Sequence, residues 1–157
     1  MRVDEPLDHP PADNTGPSVF LAAGPDATWQ QEALLLLANA AFTGTVFNPV
    51  PTSPIADRDA PWRPFGWHQL MLRRSTAALF WNPPGPVMAT DLLSRHAFGF
   101  LDTAIVVGCD PDMPGPREAK EQFLRAMPWL TVEQSLPDAV NTVLASFATT
   151  LPSDTLA

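Results

Sequence analysis

The chain has 157 residues, enough for one domain with a real hydrophobic core, and its 45 % apolar and 17 % charged content is that of a globular protein. Nine Lys+Arg against seventeen Asp+Glu leave a formal charge of −8, and the one basic doublet, Arg73-Arg74, extends into no stripe. Such a surface repels a nucleic-acid polymer, and a single cysteine, Cys109, excludes an intramolecular disulfide and a Cys-rich metal site.

Residues 1–16 are acidic and Pro-rich, with no apolar run of the signal-peptide kind, and are expected to be a disordered leader. Ser18–Ala23 (SVFLAA) reads as a buried strand, followed by the turn Gly24-Pro25-Asp26. Thr28 is a candidate N-cap for a helix through Ala41, with Glu32 in its first turn. Thr45–Asn48 reads as a second strand. A loop with Pro49, Pro51, Pro54, Pro61 and Pro64 follows, too Pro-rich for regular structure.

Trp67–Arg74 has helical spacing, with Trp67, Leu70 and Met71 on one side, and Ala77–Trp81 (AALFW) is a third strand. After Asn82-Pro83-Pro84-Gly85-Pro86, Thr90 or Asp91 is placed to cap a helix to about Phe100. Thr103–Cys109 (TAIVVGC) is the clearest strand, β-branched and apolar on both faces. A helix near Arg117–Met127, a short edge strand at Leu130–Val132 and a Ser135-capped helix over Leu136–Thr149, with Pro137 in its first turn, complete the order. Leu151–Ala157 is expected to fray, leaving residues 17–150 as the domain.

Alternating strands and helices predict an α/β protein, a flavodoxin-like or Rossmann-like three-layer sandwich with a parallel sheet of about five strands in the order 2-1-3-4-5. Ser18–Ala23, Ala77–Trp81 and Thr103–Cys109 are expected to be adjacent central strands, because a sheet covered on both sides needs runs apolar on both faces. Ligands of such sheets sit at the carboxyl ends of the strands, which gathers Ala23–Trp29, Asn48–Pro54, Trp81–Thr90 and Cys109–Pro114 around any pocket. No GxxxxGK[ST], GxGxxG or GxSxG motif occurs, and His9, His68 and His96 lack metal-ligand spacing, so neither a metal nor another cofactor is expected. The longest apolar stretches are far too short to span a bilayer, and a cytoplasmic setting is expected.

Four segments carry a resemblance: Val19-Phe20-Leu21-Ala22-Ala23-Gly24-Pro25 with Trp29 following, Phe47-Asn48-Pro49, Trp67 with Ala78-Leu79-Phe80-Trp81, and Val106-Val107-Gly108. In order and spacing they resemble the nucleoside 2-deoxyribosyltransferase-like family over Ser18–Asp112, where a first strand ends in an "FLAGP" loop and a later one in "FW". The resemblance implies a small-molecule nucleoside or nucleotide as ligand and chemistry at an N-glycosidic bond. There a Glu after the "FW" strand attacks the sugar carbon and an Asp assists the base, since an oxocarbenium-like centre needs an anion and the leaving base a proton.

Here the nucleophile's position falls on Leu93, and two further positions that are often acidic in the family hold His68 and Ser75. Asp91 is the one carboxylate near the expected nucleophile; a helix N-cap is its plain alternative. Phe20 and Trp81 are candidates to stack on a base or to fill the core, and Asp26 to meet a ribose hydroxyl or to stabilise its turn. Gly24, Pro25, Asn82 and Thr90 complete the implied binding set, with Arg95 facing a phosphate or sugar hydroxyl unless it and His96 are simply solvated. Cys109 reads as a small buried hydrophobe. Three functions remain open: a nucleoside transferase or hydrolase working through Asp91; a catalytically degenerate nucleotide sensor or structural subunit, alone or beside an active relative; and an unrelated flavodoxin-like binding module whose motif matches are accidental. Relatives of this class complete their pockets across subunits. With apolar segments around Trp62, Phe65 and Trp67 expected at the surface, a homo-oligomer, at minimum a dimer, is expected.

Overall fold

A computed structural model of the chain describes residues 1–6, 16–22, 28–50, 64–82, 103–111, 121, 125 and 128–149, apart from the side chains of 64–66 and 149. Six strands, β1 (Arg2–Asp4), β2 (Ser18–Ala22), β3 (Thr45–Phe47), β4 (Ala77–Asn82), β5 (Ala104–Cys109) and β6 (Val132–Glu133), form one parallel sheet. Helices α1 (Trp29–Asn39), α2 (Pro64–Arg74) and α3 (Leu136–Thr149) cover it. The spatial order is β1-β3-β2-β4-β5-β6. From β2 onward this is the expected flavodoxin-like order, with β2, β4 and β5 adjacent and none at an edge.

A sixth strand joins the five expected, and it takes Arg2–Asp4, which had been expected in a disordered leader, into the sheet. β1 adds to the edge beyond β3, with Arg2 N–H donating to the Gly44 carbonyl and Asn48 N–H to the Asp4 carbonyl. Val3 is the only apolar residue among Arg2–Asp4, so no hydrophobic pattern announces the strand. Main-chain pairing makes it, and Asp4, buried there, is held by Arg2 Nε at 2.6 Å.

Strand alternation sorts the core into two layers. Val19, Leu21, Val46, Leu79, Trp81 and Val106 meet Trp29, Ala33 and Leu37 of α1 and Leu136, Ala139, Val140 and Val143 of α3. On the other face Phe20, Ala22, Phe47, Ala78, Phe80, Val107 and Cys109 meet Trp67, Met71 and Leu72 of α2. Both faces of β2 and β4 are therefore buried along their whole length, which is why their sequences carry no polar alternation.

Local details depart from the expectations in instructive ways. α2 starts at Pro64 rather than Trp67, because proline lacks only a donor that the first helical turn leaves unused. Trp67 is 5 % exposed, so it is a core residue and not part of a surface patch; Trp62 and the Phe65 side chain lie outside the described residues. Thr28 is helical in backbone and makes no side-chain cap, whereas Ser135 caps α3 as expected, its Oγ accepting from Asp138 N–H at 3.1 Å. The last edge strand is Val132–Glu133, shifted from Leu130–Val132. The helix proposed near residues 90–100 lies outside the described residues, while Glu121 and Arg125 of the next one are helical. No helix among the described residues is long and apolar enough to cross a membrane.

α1 ends at Asn39 and not Ala41, through a Schellman arrangement: Phe42 N–H donates to the Leu37 carbonyl and Ala41 N–H to that of Ala38. Ala41 takes φ 56° there, a left-handed conformation that costs an alanine but not a glycine. Ala41→Gly is expected to raise stability by about 1 kcal/mol, read as a higher midpoint in thermal or urea unfolding.

Candidate functional site

The carboxyl edge of the sheet is where a site is expected, and the chain's switch of direction sits between β2 and β4. From β2 the chain crosses by α1 to β3 on one side, then returns by α2 to β4 on the other. A crevice opens at such a point because the connections leave to opposite faces.

β4 brings Trp81 and Asn82 to this edge, but alternation sends them to opposite faces. Asn82 pairs in register with Cys109, on the face covered by α2 that also holds Phe20. It is 2 % exposed, and its Nδ2 has no hydrogen-bond partner among the described residues, while its main-chain carbonyl accepts from Asp110 N–H at 3.1 Å. A buried donor without an acceptor costs its full desolvation, so its retention at a strand's carboxyl end is informative. Phe20, two residues below that end of β2, packs against Trp67 at 6.4 Å and edge-on to His68 at 6.2 Å between ring centroids. Its ring is part of the core on that face.

Trp81 belongs to the other face and lies over Gly108 of β5; a Cβ at that glycine would sit 2.6 Å from two atoms of the indole. Trp81, 6 % exposed, lines a cleft of about 540 Å³ together with Thr28 just before α1, Trp29 and Glu32 of α1, Asp110 and Pro111 after β5, and Gln134 to Pro137 at the start of α3. Phe20 and Trp81 therefore do not share a site. Trp29, 4 % exposed, lines the same cleft, and its indole Nε1 has no partner among the described residues.

Trp29 and Asp110 fall inside the segments that topology alone assigned to a pocket. Glu32, Gln134 and Ser135 were missed. The available signal was the Ser135 cap, since a helix that follows an edge strand also starts at the carboxyl edge of the sheet. Gly24, Pro25, Asp26, Thr90, Asp91, Leu93, Arg95 and His96 lie outside the described residues. Ser75 is buried at the end of α2, donating its hydroxyl to the Leu72 carbonyl at 2.7 Å, so its place in the fold is a helix terminus without a carboxylate. Cys109 is buried at the end of β5. Among the described residues no three His, Cys, Asp or Glu side chains lie together as a metal set.

No family model and no curated protein matches the chain.

Proposed function

We propose that this protein binds a nucleoside or nucleotide at the carboxyl ends of β2 and β4 on the α2 face of the sheet, as a member of the deoxyribosyltransferase-like class with weak or no turnover. The observation that carries this reading is Asn82: a buried amide donor, without a partner among the described residues, at the end of a central strand beside the switch point. A base carbonyl or ring nitrogen supplies the acceptor it lacks, and Phe20 supplies an apolar wall on the same face. The resemblance adds Gly24, Pro25, Asp26, Thr90 and Arg95 as proposed ligand contacts, with Asp91 as the proposed carboxylate for the sugar.

Loss of conventional catalysis is favoured by His68 and Ser75. Positions that are often carboxylates in the class carry here an imidazole packed between aromatic rings and a hydroxyl bonded to its own helix. Neither stabilises an oxocarbenium-like centre. A cytoplasmic homo-oligomer, or a subunit paired with an active relative, is the assembly that goes with this reading.

Incubation with a panel of nucleosides and their monophosphates, followed by chromatography for free base and by thermal shift, tests it. Expected are a ligand-dependent rise in melting temperature, turnover far below about 1 s⁻¹, and affinity about fivefold weaker in Asn82→Ala. Turnover at about 1 s⁻¹ or above that vanishes in Asp91→Ala would replace the degenerate reading with an active enzyme using Asp91. Absence of any thermal shift across the panel would leave only a structural subunit.

A further inference from the structure

β1 is an edge strand whose neighbour among the described strands is β3, in parallel register. In a parallel ladder alternate residues turn their N–H and C=O to opposite sides. Arg2 N–H donates to the Gly44 carbonyl and the Asp4 carbonyl accepts from Asn48 N–H, which assigns Arg2 and Asp4 to the β3 side. Val3 therefore turns its N–H and C=O outward, where nothing among the described residues pairs with them. Such an edge is a template for a further strand.

Charge decides which strand fits. Arg2 and Asp4 flank Val3 and, two residues apart, lie on one face of the sheet. Charged side chains on an edge ordinarily deter a foreign strand. A second copy of the same chain meets them differently. In an antiparallel pair centred on Val3, each Arg2 lies directly opposite the partner's Asp4. A register centred on Arg2 or on Asp4 would set like charges against each other, which is destabilising. The main chain demands the same register. Val3, with both polar groups outward, takes the hydrogen-bonded position, and the Arg2 and Asp4 pairs take the non-hydrogen-bonded positions, where side chains come closest. Neither side chain has used all its bonds. Arg2 donates to Asp4 Oδ1 through Nε at 2.6 Å with its side chain 57 % exposed, and Asp4 Oδ2 has no hydrogen-bond partner among the described residues.

We propose that two copies of this chain pair antiparallel through β1, about a two-fold axis at Val3, joining their six-stranded sheets into one. A two-fold contact must be complementary to itself, and the sequence Arg-Val-Asp is. Two main-chain hydrogen bonds and two ion pairs make a small contact, so the dimer is weak, with a dissociation constant of about 0.1–1 mM. The pairing needs no ligand and no catalytic group, and it stands independently of the nucleoside reading.

Sedimentation equilibrium of the full chain without ligand, from about 10 µM to about 1 mM, tests it. Expected is a weight-average mass that rises from that of one chain towards that of two. Val3→Pro removes the outward N–H of each copy and leaves the bonds to β3, because an edge position whose N–H faces away from the sheet tolerates proline. In that variant the dimer is expected to weaken at least about tenfold. Arg2→Gln keeps hydrogen-bond donors and removes the charge, and is expected to weaken it about fivefold. A mass of one chain throughout would overturn the proposal. So would a dimer that Val3→Pro leaves at the parent's affinity while its far-UV circular dichroism matches the parent's. Where that spectrum departs from the parent's, Arg2→Gln decides, and an affinity within about twofold of the parent's would overturn the proposal. Each of these failures leaves nucleoside binding untouched, since that is read separately by the thermal shift.

Discussion

Phe47→Ala is expected to lower the unfolding free energy by about 3–5 kcal/mol, enough to remove much of the stability of a domain this size. Phe47 is fully buried at the end of β3, a strand of three residues flanked by β1 and β2. Its ring meets Trp67 of α2 edge-on at 6.3 Å and 82°, and Phe20 lies beside it in register. Truncation removes an aromatic ring from a layer walled by the sheet backbone on one side and α2 on the other, so collapse around the vacancy is limited. Urea unfolding followed by far-UV circular dichroism gives the number directly. A loss below about 1 kcal/mol would mean that α2 can settle onto the sheet, and that this layer is looser than its burial indicates.

Gly108→Ala is expected to cost about 1–3 kcal/mol and to change the cleft on the α1 and α3 face. The added methyl would lie 2.6 Å from Cε3 and Cζ3 of Trp81 and 3.3 Å from the Glu133 carbonyl oxygen. The indole is held between β4, β5 and the two helices, and the carbonyl belongs to the neighbouring strand, so neither yields freely. The cause can be isolated with a double-mutant cycle: in a Trp81→Leu background the same Gly108→Ala change is expected to cost at least about 1 kcal/mol less. Equal costs in both backgrounds would show that the strand, and not the indole, resists the methyl. The glycine in the most apolar strand of the sequence is thus a structural platform for Trp81, and through it for the cleft that Trp81 lines.

Adjacent residues of one strand, Trp81 and Asn82, face opposite sides of the sheet because the side-chain period of a strand is two. A ligand at Asn82 and a ligand over Trp81 would then be separated by the sheet itself, and each can be tested by variants that leave the other face unaltered.

By itself the sequence determined the class of fold, the order of five of its strands and the edge at which a site is to be sought. The reasons are local and strong: AALFW and AIVVGC are apolar on both faces, which only a doubly covered parallel sheet accommodates, and Ser135 with Asp138 sets the start of α3 through its own hydroxyl. Tertiary structure alone decided what depends on a partner distant in the chain. β1 exists because β3 offers it a ladder, since Arg2–Asp4 has no pattern of its own. Trp67 became core because the sheet face with Phe20 and Phe47 lies beneath it. Phe20 and Trp81, which read alike as aromatic residues near the ends of central strands, were parted to opposite faces by register. Glu32, Asp110 and Trp29 were gathered into one cleft by the packing of α1 against α3, across more than seventy residues of chain. Hydrophobic period reports which face of an element is covered; it holds no information on which other element covers it.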